Sequence, residues 1–64
     1  MPHPVYTVVI EMSSMGKRPS IIKGFSIAAP DEKTALMKAF IHAQRDNRRR
    51  IIDHHISIQP GVYW

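Results

Sequence analysis

The 64-residue chain contains no cysteine, which excludes disulfide bonds and thiolate metal sites. It has no apolar run near the roughly 18 residues of a membrane span, and no basic stretch precedes an apolar one at its N-terminus, so no signal peptide is predicted. A domain of this size buries only about 60% of its unfolded surface. We therefore expect one soluble, cytoplasmic domain over residues 1–64, stabilised by good packing and by association with a second copy.

Acidic residues are few. Five Asp and Glu oppose nine Lys and Arg, which leaves a formal net charge of +4. A positive field on so short a chain attracts polyanions, although net charge also keeps small proteins in solution. The charge therefore favours an anionic partner without identifying it.

Two segments alternate with the period of a β-strand. The strand predicted over Val5–Met12 is apolar on its even face and largely apolar on the other, which favours a central place in the sheet. A loop over 13–20 precedes a second strand, Ile21–Ala29, in which Gly24 suggests a bulge or a close approach. One face of this second strand is predicted to carry Ile21, Phe25 and Ile27.

The next segment has the period of an α-helix. Pro30 ends the second strand, and Asp31 is a suitable N-cap for a helix. Residues spaced 100° apart predict an apolar stripe facing the sheet, formed by Ala35, Leu36, Ala39, Phe40 and Ala43. The helix is expected to end near Asp46 or Asn47, since Asn tolerates the left-handed conformation of a helix C-terminus.

After Arg50 the apolar period becomes two, which predicts a third strand. One face would carry Ile52, His54, Ile56 and Ile58, and the other Ile51, Asp53, His55, Ser57 and Gln59. A turn and an aromatic tail are expected over 60–64.

The resulting order, β-β-α-β, belongs to the α+β class. A right-handed crossover places the third strand beside the first, which gives a three-stranded antiparallel sheet of order 2-1-3 with one helix on one face. The uncovered face would include Val5 and Val9. Because a half-apolar open face usually finds a partner, we expect a homodimer.

Six basic residues are candidate contacts to nucleic acid or to another anionic partner: Lys17, Arg18, Arg45, Arg48, Arg49 and Arg50. The dipole of a helix C-terminus favours one or two cations, and four arginines exceed that need. Guanidinium groups make bidentate contacts to phosphate and equally to carboxylate. The expected ligand is therefore nucleic-acid backbone or an acidic protein surface. Base stacking is not expected on the sheet, since Tyr6 and Phe25 are predicted to face the helix.

Adjacent His54 and His55 resemble a metal site in the sequence alone. Successive side chains on a strand point to opposite faces, so the pair is not expected to chelate one ion, and no paired zinc spacing is present. His54 is expected to be partly buried with a local hydrogen bond, and His42 to lie at the edge of the helical stripe. We predict no metal and no cofactor.

The opening Met1-Pro2, followed by an alternating strand, superficially resembles the 4-oxalocrotonate tautomerase family. The resemblance implies that the amine of Pro2 acts as a general base after removal of the methionine. It covers only the opening and the chain length, because that family passes from its first strand directly into a helix, whereas this chain inserts a loop and a second strand. Tautomerase activity is a remote alternative.

Protein contacts are predicted at Met37, Ile41, Val5, Val9, Tyr63 and Trp64. Met37 and Ile41 are four residues apart on the helix and outside its core stripe, so they either pack under the 13–20 loop or form a partner-binding patch. Likewise, the aromatic tail either folds back onto the domain or anchors an interface.

These features predict a stoichiometric binding module rather than an enzyme. Nucleic-acid backbone is the first candidate ligand. The alternative is a protein-binding modulator or inhibitor of a larger complex, a kind of small protein that phages and mobile elements often encode.

Overall fold

The computed structural model describes residues 2–14, 16–45 and 49–64. Its elements, in chain order, are β1 (Pro4–Met12), β2 (Ile21–Ala28), α1 (Glu32–Arg45) and β3 (Ile51–Tyr63). The strands form an antiparallel sheet of order β2-β1-β3. The predicted α+β fold and strand order are therefore confirmed. The helix end expected near Asp46 or Asn47 lies outside the described residues.

The hydrophobic core lies between α1 and the even face of β1. Val8, Ile10 and Met12 are completely buried, because β1 has a neighbour on each side and the helix above. Phe25 and Ile27 of β2 lie opposite Val8 and Tyr6. Since directly opposed residues share a face of the sheet, the predicted helix-facing side of β2 is confirmed.

Helix α1 begins where the sequence predicts. The Thr34 N–H donates to Asp31 Oδ1 at 2.7 Å, so Asp31 caps the first turn. This backbone bond is the largest of the causes that hold the pKa of the Asp31 carboxyl below its ordinary value. On the buried side of the helix, Ala35, Ala39 and Ala43 are fully buried, and these small residues allow the helix to lie close to the sheet.

One helix does not cover three strands. Helix α1 packs against β1 and β2 and makes hardly any close backbone approach to β3. Leu36 and Phe40, on the side of the helix toward β3, are only partly buried. The helix-side face of β3 is consequently left open along a groove.

The start of β3 departs from strict alternation. Met12 pairs with Ile51 and Glu11 pairs with Asp53, which leaves Ile52 as an extra residue. This bulge turns Ile51 toward the helix, where it packs against the core. The prediction that Ile51 lies on the open face is wrong, because a bulge reverses the alternation on one side of it.

Two further predictions are corrected. The β1–β2 register runs without interruption through Gly24, and no atom lies within 4 Å of a Cβ built there, so Gly24 marks neither a bulge nor a close approach. The C-terminal segment is not a turn followed by a tail, because β3 continues to Tyr63, opposite Pro4. A second register shift there is accommodated by Gly61 in the left-handed region, with φ of 75°. Beyond it, His3 and Trp64 exchange two backbone hydrogen bonds of 3.0 and 2.8 Å.

Candidate nucleic-acid interface

Most of the predicted basic site residues meet at one end of the sheet, which we call the basic end. The 13–20 loop joins β1 to β2 there, and β3 begins beside the last residue of β1. The last turn of α1 reaches the same end, since Gln44 and Arg50 line one surface depression. The basic end is defined by Lys17, Arg18, Arg45, Arg49 and Arg50. Arg48 lies outside the described residues.

Arg49 has a different environment from the other described members of the basic end. Its side chain is only 9% exposed, and its Nη1 atom donates to the carbonyl oxygens of Ser13 at 3.0 Å and Pro19 at 2.6 Å. These two carbonyls stand at the start and near the end of the 13–20 loop. Arg49 therefore clamps the loop, and this side chain has little surface left for a ligand.

Ser13 and Arg50 fasten the loop a second time. The Ser13 N–H donates to the Arg50 carbonyl at 2.7 Å, and the Arg50 N–H donates to Ser13 Oγ at 3.1 Å. Lys17 and Arg18 are exposed in this loop, and the side chain of Arg50 is exposed at the start of β3. The loop backbone that carries Lys17 and Arg18 is thus tied to the start of β3.

A pair of carboxylates limits the approach of an anion. Glu11 and Asp53 lie directly opposite one another on the open face, next to the basic end. Like charges in such positions repel, and together they make this part of the open face unfavourable for phosphate. A polyanion would contact the loop and the helix end rather than the sheet.

The open face is more polar than the sequence suggests. Gln59 reaches across it, and its Nε2 donates to Thr7 Oγ1 at 2.8 Å and Ser26 Oγ at 3.2 Å. Of the two residues predicted to form an interface here, Val5 is buried within the protomer and Val9 is partly buried. These two valines therefore offer much less apolar surface than the strand pattern alone indicates.

The other residues predicted to contact a partner are exposed. More than half of each side chain is accessible at Met37, Ile41 and Tyr63, and Trp64 is 87% exposed. Packing of Met37 and Ile41 under the loop is therefore excluded. The backbone of the tail does return to the domain through Trp64, but its indole ring faces solvent.

The groove beside the helix is a feature that the sequence patterns do not reveal. Surface depressions follow one another along the whole of it. We call it the α1–β3 groove, and its apolar lining includes Tyr6, Leu36, Phe40, Ile52, Ile56 and Ile58. The only signal available from the sequence was the width of the helical stripe, where Leu36 and Phe40 extend beyond the three alanines.

The histidines are separated as predicted. His54 lies opposite Ile10 and His55 opposite Val9, so the two rings project from different faces. His54 is exposed rather than partly buried; its ring meets Phe40 edge-on at 5.5 Å, and its backbone N–H donates to Asp53 Oδ1 at 2.8 Å. His42 stacks on Phe25 at 6.3 Å. Within residues 2–14, 16–45 and 49–64, no cluster of three metal-ligating side chains occurs.

The chain was compared with protein-family models, with curated proteins and with solved structures, and no match was found in any of the three. Within the described part of the chain, no helix has both the length and the apolar character needed to cross a membrane.

Proposed function

We propose that the protein binds the phosphate backbone of nucleic acids stoichiometrically through its basic end. The observation that supports this most is the clamped loop: Arg49 and Ser13 tie the segment carrying Lys17 and Arg18 to the start of β3. A loop backbone held in place before binding loses less conformational entropy when a ligand arrives. Arg49 holds the loop in place, while other basic side chains remain exposed at the basic end. This arrangement suits a prearranged anion-binding site.

Such binding would carry little sequence preference. Contacts to phosphate position a protein on nucleic acid, whereas contacts to base edges or stacked bases specify sequence. The candidate stacking rings Tyr6 and Phe25 lie on the helix-facing side of the sheet, and the open face carries Glu11 and Asp53 near the basic end. Affinity should therefore depend on charge density and salt.

The test is a salt titration of fluorescence anisotropy with labelled duplex and single-stranded oligonucleotides. Each phosphate contact contributes about 0.9 to the slope of log K against log salt for duplex DNA and about 0.7 for single strands. The double variant Lys17→Gln, Arg18→Gln should lower the duplex slope by about 2 and weaken binding at low salt by roughly tenfold or more.

A charge-matched control is available within the chain. Lys33→Gln, Lys38→Gln removes two charges from the first turn and the middle of α1, away from the basic end, so it should retain nearly the wild-type slope. Equal losses in the two double variants would reveal attraction by net charge alone, without a site at the basic end. Absence of binding at low salt would eliminate the proposal.

An acidic protein surface is the second candidate ligand, because guanidinium groups pair with carboxylates as readily as with phosphates. The exposed Met37, Ile41 and Trp64 favour it, since these residue types are common in protein interfaces. A titration with polyglutamate separates the two: displacement of nucleic acid only by large excesses of polyglutamate supports phosphate as the preferred partner. Either ligand would be met in the cytoplasm, a reducing compartment that suits a chain without cysteine.

A further inference from the structure

We infer that a second copy of this chain pairs with the free edge of β3 and closes the α1–β3 groove. The inference rests on the two edges of the sheet, the lining of the groove and the distribution of charge along it. It does not depend on the proposed nucleic-acid binding.

The two edge strands, β2 and β3, differ in how well they are protected against pairing with a strand of another chain. Natural proteins blunt free edges with lysine, proline or short strands. β2 has eight residues and carries Lys23 near its middle, whereas β3 has 13 residues with no lysine or arginine. Proline occurs in β3 only at Pro60, close to its end. The edge over Ile51–Gln59 is thus long, and its protection is limited to the bulge at Ile52 and the charge of Asp53, both near its start.

The groove can pair with the same groove of a second copy when a two-fold axis passes through His55. Ile52 and Ile58 both line the groove and are 51% and 54% exposed, and each lies three residues from His55. A two-fold axis at His55 pairs the strand antiparallel with its copy and sets Ile52 opposite the copy's Ile58, twice, as an isologous interface requires. The paired segment would be Ile51–Gln59, which ends just before Pro60, the residue without an N–H group.

Charges at the two ends of the groove agree with this arrangement. Arg50 and Asp53 line the end of the groove that contains Ile52. Asp31, Glu32 and Lys33 line the end that contains Ile58, which leaves that end with a net negative charge. The antiparallel pairing brings Arg50 of each copy beside the two carboxylates of the other. A parallel arrangement would instead bring the Arg50 side chains of the two copies together.

The dimensions are sufficient for a stable interface. The protein is elongated, 45 × 18 × 14 Å, and exposes 4844 Å², compared with about 4200 Å² expected for a compact monomer of this mass. A stable interface buries about 800 Å² on each partner. The nine paired residues extend for about 30 Å. The lining of the groove would be buried in addition to this strand pair. The local bond from the His54 N–H to Asp53 would be exchanged for one to the partner strand.

Sedimentation of the unmodified protein over a concentration series is the first experiment, and a dimer is expected at micromolar concentrations. Ile58→Glu should raise the dissociation constant at least tenfold, because it places a charge in the closed groove. Ile41→Glu is the matched control, since Ile41 is an exposed isoleucine of α1 outside the groove lining, 65% accessible. Circular dichroism should show both variants folded, as neither side chain is buried.

A cross-linking experiment tests the position of the axis. The chain has no native cysteine, so a single introduced thiol reports one site. In His55→Cys the two thiols should lie on directly opposed residues, whose Cα separation of about 4.5–5.5 Å suits a disulfide, and mild oxidation should give a covalent dimer. Ser57→Cys, on the same strand and face, should cross-link far more slowly.

Three results would overturn the inference: a protein that remains monomeric at millimolar concentration, a dimer dissociated by Ile41→Glu but not by Ile58→Glu, or cross-linking of Ser57→Cys as rapid as that of His55→Cys. The two surfaces share Arg50, but the outcome is separable from nucleic-acid binding, because Lys17 and Arg18 lie in the 13–20 loop outside the paired segment. A monomer that binds DNA would refute only the pairing of two copies. A dimer that does not bind DNA would refute only the proposed nucleic-acid binding.

Discussion

At the scale of single residues, Arg49 stands apart from the other described arginines because its side chain is buried. A buried guanidinium requires hydrogen-bond acceptors, and the carbonyls of Ser13 and Pro19 supply them. In the sequence it is one of three consecutive arginines, and no pattern there separates a loop clamp from a ligand contact. Only the position of the loop carbonyls decides its role.

Replacing Arg49 by methionine should therefore affect stability more than its charge suggests. Two hydrogen bonds from a charged group are lost and the loop carbonyls lose their partner, so the free energy of unfolding should fall by about 1–3 kcal/mol. Urea denaturation measures it. Lys17→Gln, which removes one exposed charge, should stay within about 0.5 kcal/mol of wild type. If the two variants were equally stable, the clamp would have no energetic importance.

Asp31 predicts a pH dependence. The bonds from Thr34 lower the pKa of this carboxyl in the folded state, so its contribution to stability is complete above the unfolded value, about 3.9, and is lost as the pH falls through the folded pKa. Asp31→Asn keeps a capping oxygen but not the charge. Its melting temperature should lie below that of wild type at pH 7, and the difference should shrink near pH 2. A difference that is constant with pH would contradict this assignment.

At the scale of elements, two glycines differ in backbone conformation, and replacing each by alanine is expected to change stability in opposite directions. Gly24 lies in the regular part of β2, with open space where a Cβ would project. Gly61 has equally open space but a φ of 75°. Side-chain clashes are therefore absent at both positions, and only the backbone conformation distinguishes them.

Gly24→Ala should stabilise the protein by about 0.5–1 kcal/mol, since glycine weakens a strand interior by that amount. Gly61→Ala should destabilise it by about 1–2 kcal/mol, the cost of the left-handed conformation for a residue with a Cβ. Thermal unfolding of the two variants provides the comparison. Shifts of the same sign would show that the irregular end of β3 adjusts its backbone at little cost.

The elements themselves were predictable because their signals are local. The alternation of β1, the cap at Asp31 and the alanine stripe of α1 each lie within a few residues of chain. The bulge at Ile52 and the strand that continues past Gly61 were not predictable, since both depend on which residues of β1 lie opposite. A register shift is a property of two strands and leaves little mark on either sequence.

At the scale of the whole molecule, a single helix over three strands determines what is exposed. A helix is about 10 Å wide and two strands span about the same distance, so one strand of the three must remain uncovered on the helix side. In this protein it is β3. The apolar residues missing from the core are therefore found along the α1–β3 groove. On the open sheet face, Val5 is buried and Gln59 is hydrogen-bonded to two neighbouring hydroxyl groups.

The candidate site was predictable only in part. The arginines near 45–50 and the basic loop are visible in the sequence, and a right-handed crossover implies that they meet at one end. Which of them face solvent was not predictable, because burial of Arg49 depends on loop carbonyls that are 30 and 36 residues away along the chain. Likewise, the groove arises from the lateral placement of the helix, which no periodicity records.

By itself, the sequence determined the class of fold, the strand order, the helix N-terminus and the positive charge, since these follow from local periodicity, capping chemistry and the handedness of a crossover. The tertiary structure alone decided the registers of β3, the clamp made by Arg49 and the groove between α1 and β3. The physical reason is that register, burial and coverage depend on which distant segments lie against one another, and those contacts exist only after the chain has folded.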